Sequence, residues 1–151
     1  MKLEDALQMK KFPSQKQKAG LNLLYTAWWL KSAISKELKT VGITHEQYNV
    51  MRILKGKHPE KMCVKDIGSR MIERSSNVPR IIDRLVAKKY VIRTNSIVDK
   101  RETVNTLTTA GISLLDNATQ LMESKLKKII SFSEKEAGEL NSLLEVYREN
   151  E

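Results

Sequence analysis

Residues 75–89 carry two kinds of side chain on two faces. Val78, Ile81, Ile82, Leu85 and Val86 recur at three- and four-residue spacing, while Ser76, Asn77, Arg80, Arg84 and Lys88 fall on the opposite side. Such a segment buries one stripe and offers short polar groups and cations to whatever lies outside. Ser75, Ser76 and Asn77 are short enough to meet a base edge or a phosphate near a helix start, where free N–H groups favour an anionic oxygen. Arg80 and Arg84 share a face, and either guanidinium can bond guanine O6 and N7 together, worth about 1 to 3 kcal/mol of discrimination. Plainer uses compete: a serine here also caps the helix, and Arg84 can pair with Asp83 or Glu73 at the surface. A second group, Val98-Asp99-Lys100-Arg101, sets two cations at or beside a turn, behind an acid able to hold an arginine in one rotamer. A narrow cationic tip suits the minor groove, whose potential is most negative in A·T-rich sequence; as a surface Asp–Arg pair it would carry little energy.

The distribution of charge favours a polyanionic partner. The chain has a formal net charge of +9. Between residues 70 and 101 stand nine bases (Arg70, Arg74, Arg80, Arg84, Lys88, Lys89, Arg93, Lys100 and Arg101) against three acids (Glu73, Asp83 and Asp99). About two thirds of the excess therefore falls in about one fifth of the chain, on the segment with the two-faced pattern. Enzyme chemistry has few candidates. His45 and His58 lie near neither Cys63 nor a convincing carboxylate cluster, and no zinc-protease, nucleophile-elbow or phosphate-loop motif occurs, so no catalytic residue, metal ligand or cofactor is expected. A single cysteine makes no internal disulfide, and the N-terminal MKLEDALQMKK lacks the apolar core of a signal peptide, so a cytoplasmic location is expected.

The elements that would position these groups follow from periodicity and punctuation. With 151 residues and 40% hydrophobic content the chain can form one domain with a real core. Residues 15–40 read as a long amphipathic helix, with Leu23, Ala27, Leu30, Ile34 and Leu38 on one stripe and Leu21, Leu24 and Trp28 on a second; Gly42 closes it. Thr44 and Gln47 form a capping box, with Ile43 and Tyr48 placed as a hydrophobic staple, for a helix ending near Lys55. Residues 62–64 suit a short extended piece and 64–71 a short helix. Pro79 fits only a first turn, so the next helix should begin at Ser75 or Ser76. Residues 90–93 and 104–107 read as two strands of a hairpin. Thr108 caps a helix reaching about residue 131, and Ser133 with Glu136 opens a last helix expected to bury Ala137, Leu140, Leu143, Leu144 and Tyr147. The first fifteen residues read as a short helical or irregular arm. A helix-turn-helix followed by a hairpin is the order of a winged helix, so the predicted fold is mainly α with a small β-hairpin wing. Its expected parts are dimerisation helices at 15–42 and 109–150 and a winged region at 43–108.

Asp99-Lys100-Arg101 followed by Leu107-Thr108-x-x-Gly111 matches, in residues and spacing, the D-x-R…L-T-x-x-G signature of the multiple antibiotic resistance regulator (MarR) family. Ile81-Ile82-Asp83-Arg84-Leu85 and Lys88-Lys89 resemble the end of that family's recognition helix, and helix order and length agree from about residue 15. The resemblance implies a triangular homodimer with interlocked terminal helices and two winged units facing one side of double-stranded DNA. Arg101 then corresponds to the arginine that enters the minor groove, Asp99 to its supporting acid, and Ser75, Ser76, Asn77 and Arg80 to the major-groove set. Two departures stand out. Lys89 occupies a position where the family commonly has glycine, which suggests a strained or reshaped helix end; Glu102, Thr103 and Asn105 make the second wing strand less basic than in many members.

Independently of family, the surplus apolar face of the first helix and the two C-terminal helices call for a partner surface, which a symmetric dimer supplies. Half-sites of a roughly palindromic operator should lie about 10 base pairs apart. Repression is the expected output, since occupying a promoter needs no further contact. The resemblance also implies release by a small phenolic or anionic lipophilic effector. Tyr25, Trp28, Trp29, Tyr48 and Met51 are candidates to line its pocket, though aromatic and methionine side chains at helical spacing are more often core. Cys63, between Met62 and Val64, reads as a buried inert thiol rather than a redox switch, although Lys61 and Lys65 would lower its pKa if it were exposed. The competing function is a winged-helix interaction module whose basic face binds an acidic protein.

Overall fold

The computed structural model describes residues 1–73, 77–97 and 101–149. Its elements are α1 (Leu3–Leu7), α2 (Gln15–Thr40), α3 (His45–Lys55), β1 (Met62–Cys63), α4 (Val64–Ser69), α5 (Val78–Ala87), β2 (Val91–Asn95), β3 (Thr103–Leu107), α6 (Thr109–Ile129) and α7 (Glu134–Tyr147). The three strands form one antiparallel sheet in the order β1-β3-β2. Thus the extended piece at 62–63 is a third strand, pairing Met62 with Asn105 and Cys63 with Val104, and the expected hairpin is the β2–β3 half of a larger sheet.

Helix α3 is the centre of the core because it buries Tyr48, Val50, Met51 and Leu54 while its ends are satisfied locally. Thr44 Oγ1 accepts from the Gln47 amide at 3.2 Å and Gln47 Oε1 accepts from the Thr44 amide at 3.1 Å, the reciprocal bonds of a capping box. Around α3 lie Leu38 of α2, Ile67 of α4, Ile82 and Leu85 of α5, Val91 and Leu107 of the sheet, and Leu115, Ala118 and Met122 of α6, all buried. Gly42, at φ 75°, takes the left-handed conformation expected of it between α2 and α3.

Helix α5 begins at Val78, later than expected. Asn77 stands at its N-cap without a side-chain cap bond, and the first helical bond runs from the Ile81 amide to the Asn77 carbonyl at 3.1 Å. The later start keeps Pro79 in the second helical position; a start at Ser75 would bring its ring against the carbonyl four residues back. Residues 74–76, where a serine cap was expected, lie outside the described residues. The far end of α5 closes with two reversed bonds, Lys89 amide to Val86 carbonyl (2.8 Å) and Tyr90 amide to Leu85 carbonyl (3.0 Å). This arrangement needs a left-handed residue, and Lys89 supplies it at φ 61°. Relief of that conformation outweighs glycine's extra unfolded-state entropy, so Lys89→Gly is expected to stabilise the fold by about 0.5–1 kcal/mol. Lys89→Ala, which keeps a Cβ, should show no such gain when both variants are unfolded in urea beside the wild type.

The terminal helices leave much apolar surface uncovered. In α2 only Leu38 is buried, and Leu24 and Trp28 are 70% and 63% exposed. No residue of α7 is buried within the protomer, so Leu140, Leu143 and Tyr147, expected to be core, stand on its surface. A single protomer covers these helices from one side only. Short α1 folds back, with Leu3 buried and Glu4 paired to Lys18.

Candidate nucleic-acid interface

The buried stripe of α5 (Val78, Ile81, Ile82 and Leu85) fixes its opposite side outward, where Asn77, Arg80 and Arg84 are all exposed. Arg80 and Arg84 make no ion pair among the described residues. The surface partners weighed for Arg84 are engaged elsewhere. Asp83 Oδ1 lies 2.7 Å from Arg93 Nη2, and Glu73 accepts from Lys31 Nζ at 2.7 and 2.9 Å. Arg101 is exposed where the chain enters β3. Ser75, Ser76, Asp99 and Lys100 lie outside the described residues.

The base of the wing is tied to α5 and α6 through the Leu107-Thr108-x-x-Gly111 signature. Leu107 is buried in the core. Thr108 caps α6, its Oγ1 accepting from the Gly111 amide at 2.9 Å and donating to the Lys89 carbonyl at 2.8 Å, while its own amide donates to the Tyr90 carbonyl at 3.0 Å. Gly111 permits this approach: a Cβ there would sit 2.1 Å from the Tyr90 carbonyl oxygen.

Asn105, read from the sequence only as a non-basic residue of the second wing strand, turns out to be a core residue. It is fully buried, donating from Nδ2 to the Met62 carbonyl at 3.2 Å and accepting from Arg93 Nε at 3.4 Å. The Asp83–Arg93 pair and this buried amide escaped sequence reasoning.

Lys31 of α2 reaches both Glu73, in the connector before α5, and Glu46 of α3 at 3.7 Å. The Glu73 hydrogen bond raises the Lys31 ammonium above its ordinary pKa. A cavity of about 270 Å³ adjoins this contact, lined in part by Thr44, Glu46, Asn49, Glu73, Asn77 and Arg84.

The five candidate effector residues are dispersed. Tyr48 and Met51 are core, and Tyr48 Oη lies 3.2 Å from Thr119 Oγ1. Tyr25 and Trp28 stack at a tilt with ring centroids 5.6 Å apart on the open side of α2. Trp29 alone lines a largely apolar groove of about 650 Å³ between α2 and the α6–α7 junction, together with Leu23, Leu30, Phe132 and Leu144. Cys63 is buried and caps α4, its Sγ accepting from the Asp66 amide at 3.4 Å. Burial pushes its thiol above the usual range, the wrong direction for a reactive thiolate. Among the described residues no cluster of histidine, cysteine and carboxylates suits a metal, and no helix is long and apolar enough to cross a membrane.

Helices α4 and α5 followed by the β2–β3 hairpin, with β1 completing the sheet from before α4, define a winged helix. A profile of the MarR family matches residues 43–103. The HTH-type transcriptional regulator PapX of Escherichia coli is 26% identical over 102 residues, spanning 68% of this chain; the chain matches 62% of PapX's length. Among solved structures, a MarR transcription factor from Planctomyces limnophilus is 29% identical with a TM-score of 0.65, over 91% of this chain and 98% of that one. The S. aureus MepR–DNA complex is 22% identical with a TM-score of 0.76, over 85% and 94%. The winged region of the chain, residues 43–103, thus matches the MarR family, and the chain shares the fold of solved MarR-family structures.

Proposed function

We propose that the protein is a dimeric, sequence-specific DNA-binding transcription regulator that represses by occupying a roughly palindromic operator. The observation that carries this reading is the outer face of α5, where Arg80 and Arg84 stand exposed without an ion pair among the described residues while neighbouring Arg93 and Lys88 are bonded within the protein. Cations left over after the fold has satisfied its own acids are available to a polyanion. Asn77, Arg80 and Arg84, with Ser75 and Ser76, form the major-groove set; Arg101, with Asp99 and Lys100, serves the minor groove. The solved MepR complex, of the same fold, is a complex with DNA.

Residues 43–108 form the reading unit in this proposal, and 15–42 with 109–150 the dimerisation unit, because the apolar groove of about 650 Å³ and the open faces of α2 and α7 lie on those helices. A small phenolic or anionic lipophilic compound acts as effector, and the protein works in the cytoplasm. Salt separates a DNA reader from a module that binds an acidic protein. For the wild type, log affinity for DNA should fall against log salt with a slope of about −0.9 per phosphate neutralised. Replacing Arg80 and Arg84 with alanine should weaken DNA binding, and flatten that slope where either arginine contacts a phosphate. Absence of DNA binding by folded dimer at low salt would reject the reading.

A further inference from the structure

Asp83 is an anion on the side of α5 offered to DNA, beside Arg84 and one turn from Arg80, where an uncompensated carboxylate would repel phosphate. Its partner Arg93 comes from β2, and the contact continues across the wing. Asp83 Oδ1 to Arg93 Nη2 is 2.7 Å, Arg93 Nε to Asn105 Oδ1 3.4 Å, and Asn105 Nδ2 to the Met62 carbonyl 3.2 Å, so one chain of polar contacts joins α5, β2, β3 and β1. Asn105 is fully buried, and its two bonds permit one orientation of its amide: oxygen toward the guanidinium, nitrogen toward the carbonyl. Covalently, α5 and β2 are joined only by residues 88–90, with left-handed Lys89 in the middle. The polar chain spans that pivot from outside.

The Asp83 and Arg93 side chains are 57% and 32% exposed, and an ion pair that wet adds little to folding stability. We infer that Arg93 is a positioning residue for DNA recognition: held between Asp83 and Asn105, it sets one separation between the recognition helix and the wing, so that major-groove and minor-groove contacts are made in register. The inference rests on the DNA-binding reading above. Arginine is required because its planar fork reaches two acceptors along different N–H directions, which a lysine ammonium does not reproduce in this geometry.

The test uses the full chain as wild type, Arg93→Lys, Asp83→Asn and the double variant. Each is measured for melting temperature and for affinity to the selected operator and to unrelated DNA, and each is used to select bound sequences from a random duplex pool. Both single variants should melt near the wild type and lose at least about tenfold in operator affinity relative to unrelated DNA, with Asp83→Asn, which removes an anion from this side of α5, binding unrelated DNA at least as tightly as the wild type does. Their selected sites should keep the half-site bases while the distance from these to the A·T-rich flank spreads over more than one register. The double variant should be no worse than either single, since both cut one link. Unchanged affinity and register would overturn the inference. So would a loss of half-site bases that tracks a fall in melting temperature, which marks Arg93 as merely structural. A wild type that selects no sequence rejects the DNA-binding reading itself, a failure distinct from unchanged variants of a wild type that selects well.

Discussion

Gly111→Ala is expected to destabilise the protein by about 3 kcal/mol, a large effect for adding one methyl group. The new Cβ would stand 2.1 Å from the Tyr90 carbonyl oxygen and 3.0 Å from its carbon, and both are backbone atoms. Neither side yields cheaply. The Tyr90 carbonyl accepts from the Thr108 amide, and the Tyr90 amide closes the end of α5 on the Leu85 carbonyl, so moving the strand start breaks the helix closure and the wing base together. Equilibrium urea unfolding at one fixed protein concentration reads the change directly. A loss under about 1 kcal/mol would mean that α6 can shift away from β2 without penalty, and that the glycine of the signature is not a packing requirement.

Leu143→Glu should leave the protomer folded and dissociate the dimer. Leu143 is 69% exposed in the protomer, so the substitution costs the isolated fold little. Its neighbours on α7 line the apolar groove with α2, the surface assigned to the second copy. Burying an unpaired carboxylate there costs about 3 kcal/mol or more, and a two-fold axis imposes it twice. The dimer dissociation constant should rise at least about 100-fold in sedimentation equilibrium, with the helical circular dichroism retained. Operator affinity should fall with it, because each winged unit alone holds one half-site. A dimer of unchanged strength would place the interface elsewhere.

Helices were legible where local chemistry decides. The Thr44–Gln47 and Ser133–Glu136 boxes appear at the starts of α3 and α7, and the apolar stripe of α5 faces the core as its spacing requires. Lys89, read as a departure from glycine, takes positive φ. What sequence could not supply depends on partners distant along the chain. Strand β1 has two residues and exists only because β3 runs beside it. The burial of Asn105 was not read because Thr103-Val104-Asn105-Thr106-Leu107 has no clean alternation to mark an inner face, which Asn105 shares with Leu107. Asp83 chose Arg93 over Arg84 because the wing folds back over α5, a choice spacing alone leaves open. The candidate effector residues were picked by type, and the fold sends Tyr48 and Met51 into the core while Tyr25 and Trp28 stay on the open side of α2.

Selection of bound sequences from a random double-stranded pool, at about 150 mM salt, tests the DNA-reading function most directly. Wild type should enrich a palindrome with half-sites about 10 base pairs apart. Arg80→Ala, Arg84→Ala and Arg101→Ala should each relax the site at its own position, by about 1 to 3 kcal/mol where a bidentate base contact is lost. Enrichment of no sequence by well-folded dimer would contradict it, and would turn the basic face of α5 toward an acidic protein.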